Sequence, residues 1–109
     1  MQPLIDTHCH LNDPVFAETL PAVLERARAA GVRACVVPAY DGPSLARTSQ
    51  VASLYPGEIL PAYGLHPWFV SPGADLMEVR NRLQGQDAVA VGEIGLDASD
   101  GCPPLDLQI

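Results

Sequence analysis

Three observations in the amino-acid sequence predict an α/β fold with a parallel sheet. Four short apolar runs recur at near-even intervals, Leu4–Asp6, Arg33–Ala39, Ile59–Leu65 and Ala88–Ile94. Stretches of helical periodicity separate them, so the order is β-α-β-α-β-α-β, with a strand starting about every 28 residues. The uncommon polar residues follow directly on the strand ends. Such alternation implies right-handed crossovers between strands that run the same way. It suits an open doubly wound sheet or part of a barrel, and periodicity alone does not choose between them.

Taken in chain order, the first run is short and leads into Asp6-Thr7-His8-Cys9-His10. Leu20, Val23, Leu24, Ala27 and Ala30 then keep the i, i+3, i+4 rhythm of an amphipathic helix. Pro21 falls in its first turn, where a missing N–H is harmless, and Gly31 is set to end it. The second run, Ala-Cys-Val-Val-Pro-Ala, is almost wholly apolar, as a strand buried on both faces should be. Asp41-Gly42-Pro43 opens a second helix that ends near Tyr55-Pro56-Gly57, with a less regular apolar stripe. The third run leads to Gly64-Leu65-His66-Pro67-Trp68. Leu76, Val79 and Leu83 mark a third helix, closed by Gly85, and the fourth run leads to Gly92-Glu93-Ile94-Gly95-Leu96-Asp97. Beyond it, Asp-Gly-Cys-Pro-Pro breaks regular structure, and no complete element is expected before Ile109. One domain over residues 1–109 accounts for everything.

Composition narrows the function classes. The net charge of −7, with six basic residues, argues against a surface coated for nucleic acid. An acidic protein still handles a phosphodiester where metal ions supply the positive charge locally. No apolar run approaches the ~18 residues of a membrane span, and the first residues lack a basic-then-apolar leader, so no membrane contact is expected. Cys9, Cys35 and Cys102 are odd in number and show no CxxC spacing, which suggests reduced thiols in the cytoplasm.

In parallel α/β folds the carboxyl ends of the strands carry the chemistry. His8 and His10 are two apart, so on extended chain both rings face one way and Cys9 the other. Two neutral imidazoles and a carboxylate suit a divalent cation, and Asp6, of the same parity, could orient one of the histidines. The bland alternative is a polar surface turn. Glu93 interrupts an apolar strand, and a carboxylate there needs a metal, an arginine or a hydrogen-bond network, unless it faces solvent. Two metals about 3.5–4 Å apart often share a carboxylate, and Glu93 is the candidate for that bridging role. His66, before Pro67, projects from extended backbone and suits metal binding, substrate contact or proton transfer equally. Trp68 could wall the site, stack on a base or simply pack over the rim. Asp97 could orient a ligand or cap the next segment.

The stretch Leu4-Ile5-Asp6-Thr7-His8-Cys9-His10-Leu11-Asn12 resembles the opening signature of TatD-type deoxyribonucleases, within the amidohydrolase group. Gly64-Leu65-His66-Pro67 and Gly92-Glu93-Ile94-Gly95-Leu96-Asp97 are similar to that family's next landmarks, in order, and Gln108 stands where the family often has a glutamine opening the following helix. The resemblance covers nearly the whole chain. It implies the amino-terminal portion of a TIM-like (β/α)8 barrel, with about four parallel strands and three intervening helices. It further implies two divalent metals (Zn, Mg or Mn) and hydrolysis of DNA or another phosphodiester. By position, His8 and His10 would be metal ligands, Glu93 a bridging and catalytic ligand, and His66 a catalytic group near the substrate phosphate. Trp68 would contact substrate, and Asp6 and Asp97 would support the ligands from behind.

Two departures concern substrate contacts: Asn12 where aspartate is commoner, and Ala98 where an aromatic often stands. A third is length, since a complete barrel takes ~250 residues. The family's further ligands, two histidines and an aspartate after strands five, six and eight, have no counterpart among the chain's three histidines. A cation held by three groups alone would bind weakly, so the 109-residue piece is expected to be inactive, and its bare inner sheet face to self-associate. The alternatives are an amidohydrolase for an amide, ester or lactone, and a non-catalytic barrel fragment.

Overall fold

The computed structural model describes residues 2–74 and 76–109. Strands β1 (Leu4–Asp6), β2 (Val32–Pro38), β3 (Ile59–Tyr63) and β4 (Ala90–Val91) form one sheet in the order β1-β2-β3-β4. Every pairing is parallel. A doubly wound sheet reverses its strand order partway, with helices on both sides. Here the order never reverses, so right-handed crossovers put the helices on one side, as in a segment of barrel wall.

Those helices are α1 (Leu20–Ala29), α2 (Gly42–Leu54) and α3 (Leu76–Gln84). Pro21 does lie in the first turn of α1, and Gly31 follows its end at φ 92°, a left-handed conformation that favours glycine. A reciprocal capping box starts α2. The Asp41 carboxylate accepts from the Ser44 N–H at 2.8 Å, and the Ser44 hydroxyl accepts from the Asp41 N–H at 2.9 Å.

The core lies between sheet and helices. Leu20 and Leu24 of α1 meet Cys35, Val37 and Ile59, while Leu45 of α2 and Val79 of α3 meet Ala39, Tyr63 and Leu65. Leu24, Val37, Leu45, Ile59 and Tyr63 are at most 1% exposed, and the larger of them contribute roughly 1.5–3 kcal/mol each. The opposite, inner face is bare. Val36, Pro38, Ala62 and Ala90 line an open groove there of 290 Å³, and Leu4, Ile5 and Val91 stand more than half exposed. The radius of gyration, 14.8 Å, exceeds the roughly 13 Å of a compact chain this long, as a shell open on one side should.

Two elements differ from expectation. The fourth strand is two residues long instead of Ala88–Ile94, because β4 has a neighbour on one side only and then leaves the sheet plane. A short helix, α4 (Leu105–Gln108), forms where no complete element was expected. Four residues cannot display a helical period, and the one mark of it, Gln108 expected to open a helix, lies at its end.

Candidate active site

At the carboxyl ends of the strands three side chains from the two edges of the sheet meet. His8 Nε2 lies 3.3 Å from His10 Nε2 and 3.5 Å from Glu93 Oε1, and His10 Nε2 lies 3.4 Å from Glu93 Oε2. Among the described residues this is the group of three that could hold a metal ion.

The meeting needs explaining, since neighbouring strands are about 4.8 Å apart and three such steps separate β1 from β4. Curl of the sheet accounts for part of the closure, and a backbone crossing supplies the rest. Val89 and Gly92 donate their N–H groups to Pro61 and Tyr63 of β3, as a next strand should. Glu93 instead donates to Ala39 O, just beyond β2, at 2.7 Å. The chain thus bends over the end of β3 towards β1, passing over Gly64. A Cβ at Gly64 would meet the Gly92 carbonyl carbon at 2.7 Å, so only glycine leaves room for the crossing.

The histidines are fixed through main chain. The Asp6 carboxylate accepts from the His8 N–H at 3.0 Å, and Cys9 donates its N–H to Val36 O at 3.1 Å. Cys9 turns to the helix-side core, as the alternation predicts. There burial, helped by Cys35 and Asp6, pushes its thiol up to about 12, so it stays protonated at neutral pH. Asn12 anchors the following loop, its amide donating to Pro38 O at 2.9 Å and to the Thr48 hydroxyl at 2.8 Å.

The donor set fits a divalent cation. Bonds of about 2.0–2.1 Å in tetrahedral geometry put neighbouring ligand atoms about 3.3–3.4 Å apart. The 3.3 Å between the two imidazole nitrogens matches that edge, and each nitrogen has one Glu93 oxygen, a different one, at 3.4–3.5 Å. With Nε2 of His10 used as a donor atom, its proton sits on Nδ1, which is buried and has no hydrogen-bond partner.

The remaining predicted residues form a second group beside the first. His66 caps a 3-10 turn at Pro67–Phe69, its Nδ1 accepting from the Trp68 N–H at 3.1 Å. In the neutral ring the proton therefore sits on Nε2, leaving that atom a donor. Trp68 donates its indole N–H to Asp97 Oδ2 at 2.6 Å. The other Asp97 oxygen accepts from the Ser99 hydroxyl and N–H. These bonds hold its carboxyl well below the usual range, Ser99 first and the Trp68 indole after it. Two supporting residues show their partners here. Asp6 holds His8 through its main-chain N–H. Asp97 directs its carboxylate to Trp68 and Ser99.

Four residues went unassigned in the sequence. Gly64 lay inside a recognised motif, but nothing local marks what will cross it. Tyr40 follows β2 at the same level as the polar clusters on the other strands, a signal that could have been read. Its ring stands edge-on to His10, centroids 5.4 Å apart. Arg47 donates to the Tyr40 hydroxyl and to Asn12 O. Gln108 brackets Asp97 from α4, accepting from its N–H at 2.7 Å and donating to its carbonyl at 2.8 Å.

The model of the TatD related DNase family matches residues 5–109. The chain belongs to this family. It is 39% identical over 108 residues to the uncharacterized metal-dependent hydrolase YjjV of Escherichia coli K12, covering 95% of this chain and 41% of that protein. The crystal structure of that TatD homologue superposes with a TM-score of 0.78 at 35% identity, over 90% of this chain and 39% of that one. Human deoxyribonuclease TATDN3 is 35% identical over 108 residues, 88% of this chain and 39% of its own length. The 3'-5' ssDNA/RNA exonuclease TatD of Yersinia pseudotuberculosis is 31% identical over 96 residues, 86% of this chain and 37% of its own length. The chain thus spans about two fifths of the length of the relatives it matches. Its four parallel strands correspond to the first half of the TIM barrel of the E. coli homologue.

Proposed function

We propose that this chain forms the first half of a barrel whose full-length product is a divalent-metal-dependent phosphodiesterase acting on DNA. The observation that carries the reading is the convergence of His8, His10 and Glu93, with the two imidazole nitrogens 3.3 Å apart and a Glu93 oxygen 3.4–3.5 Å from each. Family membership favours phosphodiester over amide, ester or lactone substrates, and the Yersinia relative's name favours single strands.

In this reading His8, His10 and Glu93 would hold a divalent cation, Glu93 turning one oxygen towards each histidine, and Glu93 would be the residue shared with a second cation in the full-length product. Zn, Mg or Mn each suit the donor set. Such a cation offers Lewis acidity towards a phosphoryl oxygen and makes water more acidic. Glu93, half-screened from water, balances its charge. His66 aims a donor from Nε2 at the substrate phosphate, and the Trp68 indole walls the substrate's path. Asp6 and Asp97 steady the two loops.

The 109 residues alone form a single incomplete barrel domain, and their bare inner face self-associates until the missing wall covers it. No helix among the described residues is long and apolar enough to cross a membrane. Three free cysteines suit the cytoplasm. The decisive assay follows hydrolysis of a single-stranded oligodeoxynucleotide by the full-length product before and after chelation and metal return. Turnover lost on chelation, restored by metal and missing in Glu93→Gln supports the reading. Equal turnover with and without metal refutes it.

A further inference from the structure

The end of β2 brings neither a histidine nor a free carboxylate to the rim. Pro38 is followed by Ala39, Tyr40 and Asp41, and the Asp41 carboxylate is occupied in capping α2. What β2 contributes is the half-buried ring of Tyr40. That ring crosses the His10 imidazole at 85°, centroids 5.4 Å apart. It also walls an aromatic cavity of 410 Å³ beside the cluster, which includes Trp68 and Phe69 and shares His10 and Glu93.

A histidine that holds a metal through one nitrogen almost always donates its other N–H to a carboxylate, a carbonyl or water, and that bond fixes the direction of the ring. His10 Nδ1 is buried and has no such acceptor among the described residues. The main chain sets where His10 stands, but it does not set which way the imidazole turns. Packing has to do that. Besides His8, the ring packed edge-to-face on His10 is Tyr40.

Arg47 ties this neighbour to the ligand's own loop. Its Nη2 donates to the Tyr40 hydroxyl at 3.2 Å, and its Nε donates at 3.0 Å to the carbonyl of Asn12, two residues past His10. One planar guanidinium thus holds the loop that carries His10 and the ring that flanks it in a single geometry. The Tyr40 backbone is fixed separately. Its N–H donates to the Ser44 hydroxyl at 2.8 Å, and its carbonyl accepts from the His66 N–H at 2.9 Å. Held at both ends, the ring cannot swing away from His10 without breaking the bond to Arg47.

We propose that Tyr40 and Arg47 are positioning residues for His10: the Tyr40 ring, tethered by Arg47, takes the place of the missing hydrogen-bond acceptor and sets the direction of the imidazole. The inference rests on the metal reading of the cluster and adds to it what aims one of the ligands. Neither residue is itself a ligand, since the Tyr40 hydroxyl is turned to Arg47.

The experiment measures the Zn²⁺ affinity of the full-length product by competition with a chromophoric chelator, with no substrate present, so that contact with substrate plays no part. Tyr40→Ala should lower the affinity roughly 10–100-fold. Tyr40→Phe keeps the ring and removes only its tether, and should cost roughly 2- to 10-fold. Arg47→Gln should cost at least as much. The double variant Tyr40→Phe/Arg47→Gln should lose no more than the larger single, because both changes break one bond, whereas independent structural damage would add. In the Zn²⁺-loaded protein the buried His10 Nδ1 proton should give a persistent proton NMR signal, which exchange with water removes in Tyr40→Ala while circular dichroism is unchanged. If Tyr40→Ala folds poorly, the cycle built on Tyr40→Phe decides alone. Both Tyr40 variants within twofold of the wild type, or losses that add in the double variant, overturn the inference and leave the metal cluster standing. A wild type without measurable Zn²⁺ affinity overturns the metal reading itself, and this inference with it.

Discussion

The candidate metal cluster and the aromatic cavity lie on one rim and share two residues, yet they are held in different ways. His8, His10 and Glu93 are set by backbone: a carboxylate and a β2 carbonyl steady the His8–His10 strand end, and Glu93 is delivered by a main-chain crossing over Gly64. Tyr40 and Trp68 are set by hydrogen bonds from their own side chains. The contrast matches the roles proposed for the two groups. Ligand atoms tolerate errors of about 0.2 Å around a cation, so they need rigid main chain. An aromatic wall tolerates small shifts, and a single polar tether suffices.

That contrast can be broken from either side, starting with the largest effect. Replacing His8 and His10 together by Ala removes two of three donors. Metal affinity, measured by competition with a chromophoric chelator, should fall by more than the roughly 10–100-fold that losing a supporting partner costs. Gly64→Ala touches no ligand, yet it should itself cost roughly 10–100-fold in metal affinity by displacing Glu93, with helical content by circular dichroism retained. Affinity within twofold of the wild type would show that the crossing is slack. Asp97→Asn should leave metal affinity alone and shift the emission of Trp68, the one tryptophan in the chain.

The smallest effect concerns acid. Asp97 has its folded pKa below the ordinary aspartate value, so its hydrogen bonds contribute in full above ~3.9. They are lost only as the pH falls further, through the folded value. Trp68 emission should therefore be steady from pH 7 to about 4 and change in stronger acid. A change centred near pH 6 would point to a histidine as Trp68's controlling partner.

The sequence made the members of the cluster legible because each sits where a local rule puts it. His8 and His10 share strand parity, and Glu93 is a carboxylate in an otherwise apolar run. The alternation of runs and helical stretches likewise revealed a parallel α/β sheet, and the unreversed strand order in three dimensions selected the barrel. What stayed hidden depends on partners far along the chain. Asp97 and Trp68 are 29 positions apart, and neither carries a mark of the other. The clearance at Gly64 exists only once Gly92 and Glu93 lie across it. The ladder of β4 stops short because nothing lies on its far side, a fact about the sheet and not about Ala88–Ile94.

Anomalous diffraction from crystals of the full-length product grown with Zn²⁺ or Mn²⁺ tests the central claim most directly. The account predicts a peak at coordination distance, about 2.0–2.2 Å, from His8 Nε2, His10 Nε2 and a Glu93 carboxylate oxygen. A peak bound elsewhere, or Glu93 turned away from both imidazoles with the metal present, would contradict it.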